Sequence, residues 1–402
     1  MLIRYLASFG LFVFSLASLP LMAEVTLSSA INAAFDIQKK GELAQARRKV
    51  GEGMAREGGS LLSNAPEVGV MYKSDELGSE DGYREYEASL ALPVWRFGQK
   101  SASQELSQEM LTQADTEEAA MKWQIASEVL DSVWSLREAQ AEQALAMKQW
   151  ESARKLEDNI KKRLDAGEVA RADWILAQQE TASREEKYRI AELHYLQAMT
   201  LWEGLTGLTQ LPSGLGAIER SDKSGIEEHP LYLNTEQMLS VARSMSKRQQ
   251  KSLQSSPVVT LYAKRDRGVE ADPWNDSLGA QFTLPIGKSH VASEVAQAEM
   301  AVTEATVELS TQQRSLAYQH KKAAVELQQI ESALGLASRV DELARSRVAI
   351  SERAYQMGEM ELFLLLQARE DADLAANNLE KIQIRHQRAI SKYNLSLGVL
   401  PQ

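Results

Sequence analysis

Two spacings of apolar residues organise the chain. Val291, Val295, Ala298, Val302, Ala305 and Leu309 advance by alternating steps of four and three, which keeps an apolar seam on one side of a coiled-coil helix. Met121, Ile125, Val129, Val133 and Leu136 form a comparable seam earlier on. No proline interrupts residues 97–166 or 289–357. At about 1.5 Å rise per residue, each stretch predicts a helix roughly 100 Å long. Gly167 and Gly358 follow these stretches. Glycine at such a position takes the left-handed conformation that closes a helix. Each long helix is therefore expected to turn back into an antiparallel partner.

Ahead of each long helix the period falls to two, the spacing of strands. Arg84, Tyr86, Ala88, Leu90 and Leu92 form a largely apolar face, and Glu85, Glu87, Ser89 and Ala91 interleave. Leu278, Ala280, Phe282 and Leu284 alternate with Ser277, Gly279, Gln281 and Thr283. Val68, Val70 and Tyr72, then Val259, Leu261 and Ala263, supply partner strands. The connections at 75–82 and 266–275 are polar and contain glycine, with Tyr83 and Trp274 at their borders, where membrane barrels place aromatic residues. A small soluble sheet would show the same alternation. In lipid, however, every unpaired backbone group is costly, and two hairpins cannot close a barrel. Several copies would have to join, two giving eight strands and three giving twelve. The sequence leaves both open.

The landmarks recur. Gly167 and Gly358 are 191 residues apart, as are Trp202 and Tyr393, and Leu92-Pro93 precedes Leu284-Pro285 by 192. Register kept over so long a stretch predicts a tandem duplication. The expected parts are a leader at 1–23, a first repeat at 24–207, a linker at 208–229 and a second repeat at 230–402.

Composition narrows the function. The 402 residues carry 45 Lys and Arg against 56 Asp and Glu, a net charge of −11. Nucleic acid is not expected as a partner, since phosphate neutralisation needs a basic face. Cysteine is absent, which removes disulfides, thiolate metal sites, thiol nucleophiles and an N-terminal lipid-anchor cysteine. Arg4, the apolar run 6–19 broken by small residues, and Pro20 to Ala23 leading to a cleavage site before Glu24 have the form of a secretory signal, with Leu21 larger than the small residue usual at that place. That apolar run is shorter than the ~20 residues of a spanning helix.

Several motifs together resemble the TolC family of outer-membrane factors over essentially the whole mature chain. They are Leu92-Pro93-Val94-Trp95-Arg96-Phe97-Gly98 with Leu284-Pro285-Ile286-Gly287, Arg163-Leu164-Asp165-Ala166-Gly167 with Leu176-Ala177-Gln178, and Tyr355-Gln356-Met357-Gly358 with Leu366-Gln367-Ala368-Arg369. The resemblance implies a mainly α fold with a small β part: long helical hairpins forming a periplasmic tunnel, and four strands per chain contributed to a twelve-stranded barrel in outer-membrane lipid. It implies a homotrimer whose tips dock on a periplasmic adaptor linked to an inner-membrane pump. The pump would supply the energy, so no cofactor is expected. Carried over by position, Ala166, Gly167 and Glu168 with Met357, Gly358 and Glu359 would meet the adaptor. Asp173 and Tyr355 match residues that close the periplasmic aperture. The family's arginine two past the second glycine is here Met360, and its aspartates six and nine past it are Leu364 and Gln367. Glu359 and Glu361 are the expected substitutes for that negative charge.

Tyr262-Ala263-Lys264-Arg265-Asp266-Arg267-Gly268 with Ser277-Leu278-Gly279 is similar to the heavy-metal (cobalt-zinc-cadmium) branch, so metal cations are the expected cargo. His194, His229, His290, His320 and His386 are scattered rather than at metal-ligand spacing, and no metal site is expected. A drug-efflux or type I protein-secretion channel is the alternative within transport. A soluble periplasmic coiled-coil adaptor is the alternative of another class. No catalytic cluster supports an enzyme.

Overall fold

Two long helices set the dimensions of the molecule in the computed structural model, which describes residues 25–78, 81–213, 215, 218–223, 225–252, 256–286 and 291–400. The expected leader, Gly287 and His290 lie outside the described residues. In chain order come α1 (Leu27–Ile37), α2 (Lys40–Gly59), β1 (Glu67–Ser74), β2 (Arg84–Pro93), α3 (Gln99–Asp165) and α4 (Arg171–Thr206). They are followed by α5 (Pro230–Lys251), β3 (Val258–Arg267), β4 (Asn275–Thr283), α6 (Ala292–Gln356) and α7 (Leu362–Ser396). Helices α3 and α6 run for 67 and 65 residues, each roughly 100 Å. No helix among the described residues is long and apolar enough to cross a membrane.

Each long helix changes partner along its length. One part of α3 packs on α2 and α5, another on α4; α6 packs on α5 and then on α7. The apolar spacing records this. Val295, Ala298, Val302, Ala305 and Leu309 are half-buried between exposed neighbours. The seam continues through Gln312, Leu316, His320, Ala323 and Leu327, with two successive steps of four around Leu316. Such a stutter shifts the phase of a coiled coil. It falls where α7 takes over, with His320 Nδ1 3.0 Å from Ser396 Oγ.

The main core lies midway along the helices. Leu27, Ala30, Ile31, Ala34 and Phe35 of α1 pack with Ile125, Val129, Val133, Trp134 and Leu136 of α3, and with Trp202, Leu215 and Ile384. A capping box of Thr26 and Ser29 starts α1, and Lys39, at φ +54°, separates α1 from α2. The residues after α4 form a fastened strap. Ser213 N donates to Val25 O at 2.9 Å, Ser221 N to Asn394 Oδ1 at 2.8 Å, and Arg220 lies 4.4 Å from the Tyr393 ring centre.

The strands form one antiparallel sheet in the order β1-β2-β3-β4. Among the described residues its outer edges are unpaired. Among the described residues no helix lies across it. The apolar face is the more open one: Val70 and Leu278 are 85% and 87% exposed, whereas Glu85 on the polar face is buried and bonded to Tyr83 and Lys264. A soluble sheet would cover its apolar side. Tyr262 lies so close to Gly279 that a Cβ there would come within 2.2 Å of its ring, which accounts for a glycine inside a strand.

Candidate functional site: the paired hairpin tips

The two helical hairpins end in the same backbone turn. Gly167 and Gly358 have φ of +77° and +76°. Glu168 N donates to Arg163 O and Glu359 N to Ala354 O, each at 2.9 Å. These bonds reach back across the turn and satisfy carbonyls that a helix end leaves free. Ala166, Gly167, Glu168, Met357, Gly358 and Glu359 all stand exposed. No atom lies within 4 Å of a Cβ built on either glycine, so backbone conformation alone favours glycine there.

The tips lean together. Ile160 and Ala177 of one hairpin pack with Leu362 and Leu365 of the other, flanked by Leu156, Val169, Trp174 and Tyr355. The Arg163 guanidinium lies 5.3 Å from the Tyr355 ring centre and Nε is 3.3 Å from Glu168. Lys161 sits 5.2 Å from the Trp174 ring centre. Tyr355 Oη is buried with no hydrogen-bond partner among the described residues.

The four residues expected at the aperture are not bonded to one another within the chain. Asp173 occupies the first turn of α4, half-exposed, where its charge suits the helix N-terminus. Glu361 precedes α7 as its N-cap without a side-chain capping bond, and Glu359 points to solvent. Only Tyr355 joins the tip cluster. Its neighbours Arg163 and Trp174 were missed as site residues. Both belong to segments that recur between the halves, but a contact between hairpins nearly 200 residues apart leaves no period in the sequence.

Beyond the tips, charge joins the hairpins. Arg184 is buried between Glu180 (2.5 Å) and Asp373 (3.1 Å), and Lys187 meets Glu370 at 3.7 Å. Burial raises the Asp373 carboxyl above its usual range although Arg184 opposes this. A cavity of about 260 Å³ opens beside this cluster, lined by Lys148, Ser152, Glu352 and Arg369 among others. Farther along α7, Lys381 pairs with Glu142 at 3.4 Å, Arg385 with Glu138 at 3.6 Å and Arg388 with Asp131 at 2.8 Å. No group of three or more His, Asp or Glu residues that could hold a metal occurs among the described residues.

No family model and no curated protein matches the sequence. Solved structures match along most of its length. The outer membrane protein VceC of Vibrio cholerae has a TM-score of 0.69 at 17% identity, covering 93% of this chain and 96% of its own. The CmeC outer membrane channel of Campylobacter jejuni gives 0.71 at 15% identity, over 99% of this chain and 94% of its own. The open state of the MtrE outer membrane channel of Neisseria gonorrhoeae gives 0.72 at 16% identity, over 94% and 89%. At these identities the likeness establishes a TolC-like fold, with long helical hairpins joined to a small antiparallel sheet.

Proposed function

We propose that this chain is the outer-membrane channel of a tripartite efflux system, acting as a homotrimeric conduit with a periplasmic adaptor and an inner-membrane pump. One observation carries the reading: an open four-stranded sheet exposes its apolar face and leaves both edges unpaired. Such edges cannot stand in lipid, and further copies of the same sheet supply the missing pairs. The helices carry a matching requirement. Leu336, Val340, Leu343 and Ile350 of α6 follow heptad spacing yet are 54–69% exposed, a second seam with no partner among the described residues. The likeness to outer membrane channels supports the same placement.

The conduit needs no chemistry of its own, so the chain is not an enzyme and holds no cofactor. It consists of two repeats, 24–207 and 230–402, joined by the strap at 208–229 after removal of the leader at 1–23. The tips dock the adaptor through Ala166, Gly167, Glu168, Met357, Gly358 and Glu359. Asp173, Tyr355, Glu359 and Glu361 line the aperture. The cargo is heavy-metal cations. Supporting this, the polar face of the sheet carries Glu67, Glu85, Glu87 and Asp266 against Lys73 and Lys264, an excess of negative charge that favours cations.

Fractionation tests the placement: the protein remains with outer membranes through a high-salt wash, whereas release by salt would favour a periplasmic adaptor. Deletion of the gene tests the cargo. Lost metal tolerance is expected; unchanged metal tolerance with lost drug tolerance would point to drug efflux, and loss of a secreted protein to type I secretion.

A further inference from the structure

The sheet carries a cationic cluster at its loop end, away from the helices. Strand pairing sets Arg84 directly opposite Arg267 and Tyr86 opposite Arg265, so three guanidinium groups share the apolar face. Like charges placed opposite on neighbouring strands repel, and a counter-charge is needed. Next to them lies an aromatic row: Tyr72 and Tyr86 have ring centres 5.0 Å apart, and Tyr86 and Trp274 5.8 Å. Arg265 and Arg267 lie 5.9 and 5.0 Å from the Trp274 ring centre.

The chain satisfies this cluster incompletely. Arg84 meets Glu76 through a single contact at 3.2 Å that is open to solvent, weak and exchangeable, whereas Arg265 holds both oxygens of Asp276, at 2.9 and 3.3 Å, on the exposed face. Among the described residues Arg267 has no carboxylate partner: Nη1 donates to Glu270 O at 3.4 Å, and Nε is buried without a partner. Nearby acids are engaged with the loop backbone, Asp75 accepting from Gly82 N at 3.2 Å and Asp272 from Val269 N at 3.3 Å.

Position supplies the second part. Arg84, Arg265 and Arg267 lie on the two inner strands, so copies that add at β1 and β4 leave them uncovered. Leu92 to Arg84 is nine residues of β2, and about 9–11 residues of a strand tilted near 45° cross the hydrocarbon core of a membrane. The arginines therefore stand where hydrocarbon gives way to headgroups, with Tyr72 and Tyr86 level with Arg265 and Trp274 beside Arg265 and Arg267.

We propose that Arg84, Arg265 and Arg267 bind the phosphate groups of a phosphorylated glycolipid in the leaflet at the loop end of the barrel. Guanidinium forks suit phosphate oxygens in pairs, and Tyr72, Tyr86 and Trp274 seat the sugar–acyl boundary. This rests on the membrane placement above.

The test uses the delipidated full-length trimer in detergent, with its thermal midpoint followed as diphosphorylated lipid A is added. Parallel samples receive dephosphorylated lipid A or inorganic phosphate at equal phosphate concentration. A rise with the diphosphorylated lipid alone is expected. Arg84→Gln with Arg267→Gln should weaken the apparent affinity by about tenfold or more, and Arg84→Lys with Arg267→Lys, which keeps the charge and the assembly, by less. Equal affinity in the Gln variant, or an equal response to inorganic phosphate, would overturn the proposal. Vesicle flotation separates the two readings. If the wild type fails to float with any vesicle, the membrane placement is lost; if it floats while the Gln variant binds lipid A undiminished, only the headgroup site is lost.

Discussion

Tyr355 is held by apolar neighbours and by Arg163 over its ring, while its hydroxyl is buried and unbonded. An unsatisfied buried hydroxyl costs on the order of 1–3 kcal/mol, so a shift of the tips that uncovers Oη and brings it to an acceptor on an adjoining copy would stabilise the closed aperture. Asp173, with no side-chain partner among the described residues, is our candidate. Tyr355→Phe and Asp173→Ala should each raise single-channel conductance in planar bilayers, and the double variant should add little more. Unaltered conductance in both single variants would retire the assignment. His229 makes a separate case. It is fully buried, accepts from Leu231 N through Nδ1 at 3.1 Å as the cap of α5, and meets Trp123 edge-on at 4.7 Å. Burial pushes its pKa down to about 4. The fold therefore holds the neutral ring, and this contribution is complete above pH ~6.5 and lost as pH falls towards 4. Its full size is on the order of 3 kcal/mol. His229→Asn keeps a capping acceptor and removes the titration. Thermal midpoints of that variant should fall less between pH 6.5 and 4 than those of the wild type; parallel curves would refute the link.

At the scale of elements, the hairpin turns and the second α6 seam make separable demands. At Gly358 a side chain meets open space but an unfavourable φ, a cost of roughly 1 kcal/mol. Gly358→Val should therefore leave trimers intact while reducing adaptor crosslinking, and undiminished crosslinking would make the tip structural only. The α6 seam behaves in the opposite way. Burying a leucine is worth about 1.5–3 kcal/mol, so Leu336→Asp with Leu343→Asp should abolish trimers by light scattering while helical circular dichroism persists. Persistence of the trimer would show that this stripe is not an interface. Much of this element structure was legible beforehand. The proline-free stretches 97–166 and 289–357 became α3 and α6 almost to the residue, and alternation located all four strands, because these features are periodic along the chain. What has no period was not legible. The break at Lys39 between α1 and α2 and the capping box that starts α1 are local and aperiodic. Beyond α4, Ser213 and Ser221 are bound through their backbone N–H groups to the distant Val25 and Asn394. The meeting of the tips, and the pairing of Arg184 with Asp373, depend on contacts across nearly two hundred residues.

At the scale of the whole molecule, the joints differ in strength. The core around α1 and α3 is apolar and continuous, whereas the hairpins meet mainly through partly exposed ion pairs and one small apolar cluster. Exposed pairs contribute little and are screened by salt, so the hairpins can part at modest cost while the middle of the molecule stays fixed. The sheet imposes its own timetable on biosynthesis. Its central pairing joins Pro93 to Val258, 165 positions later. At about 5–20 residues per second, a growing polypeptide spends roughly ten to thirty seconds with the β1–β2 hairpin made and its eventual neighbour still unmade. During that interval a greasy ribbon with bare borders is available to any other nascent copy. Strand pairing deferred until the whole polypeptide has been made follows as the safe order of events.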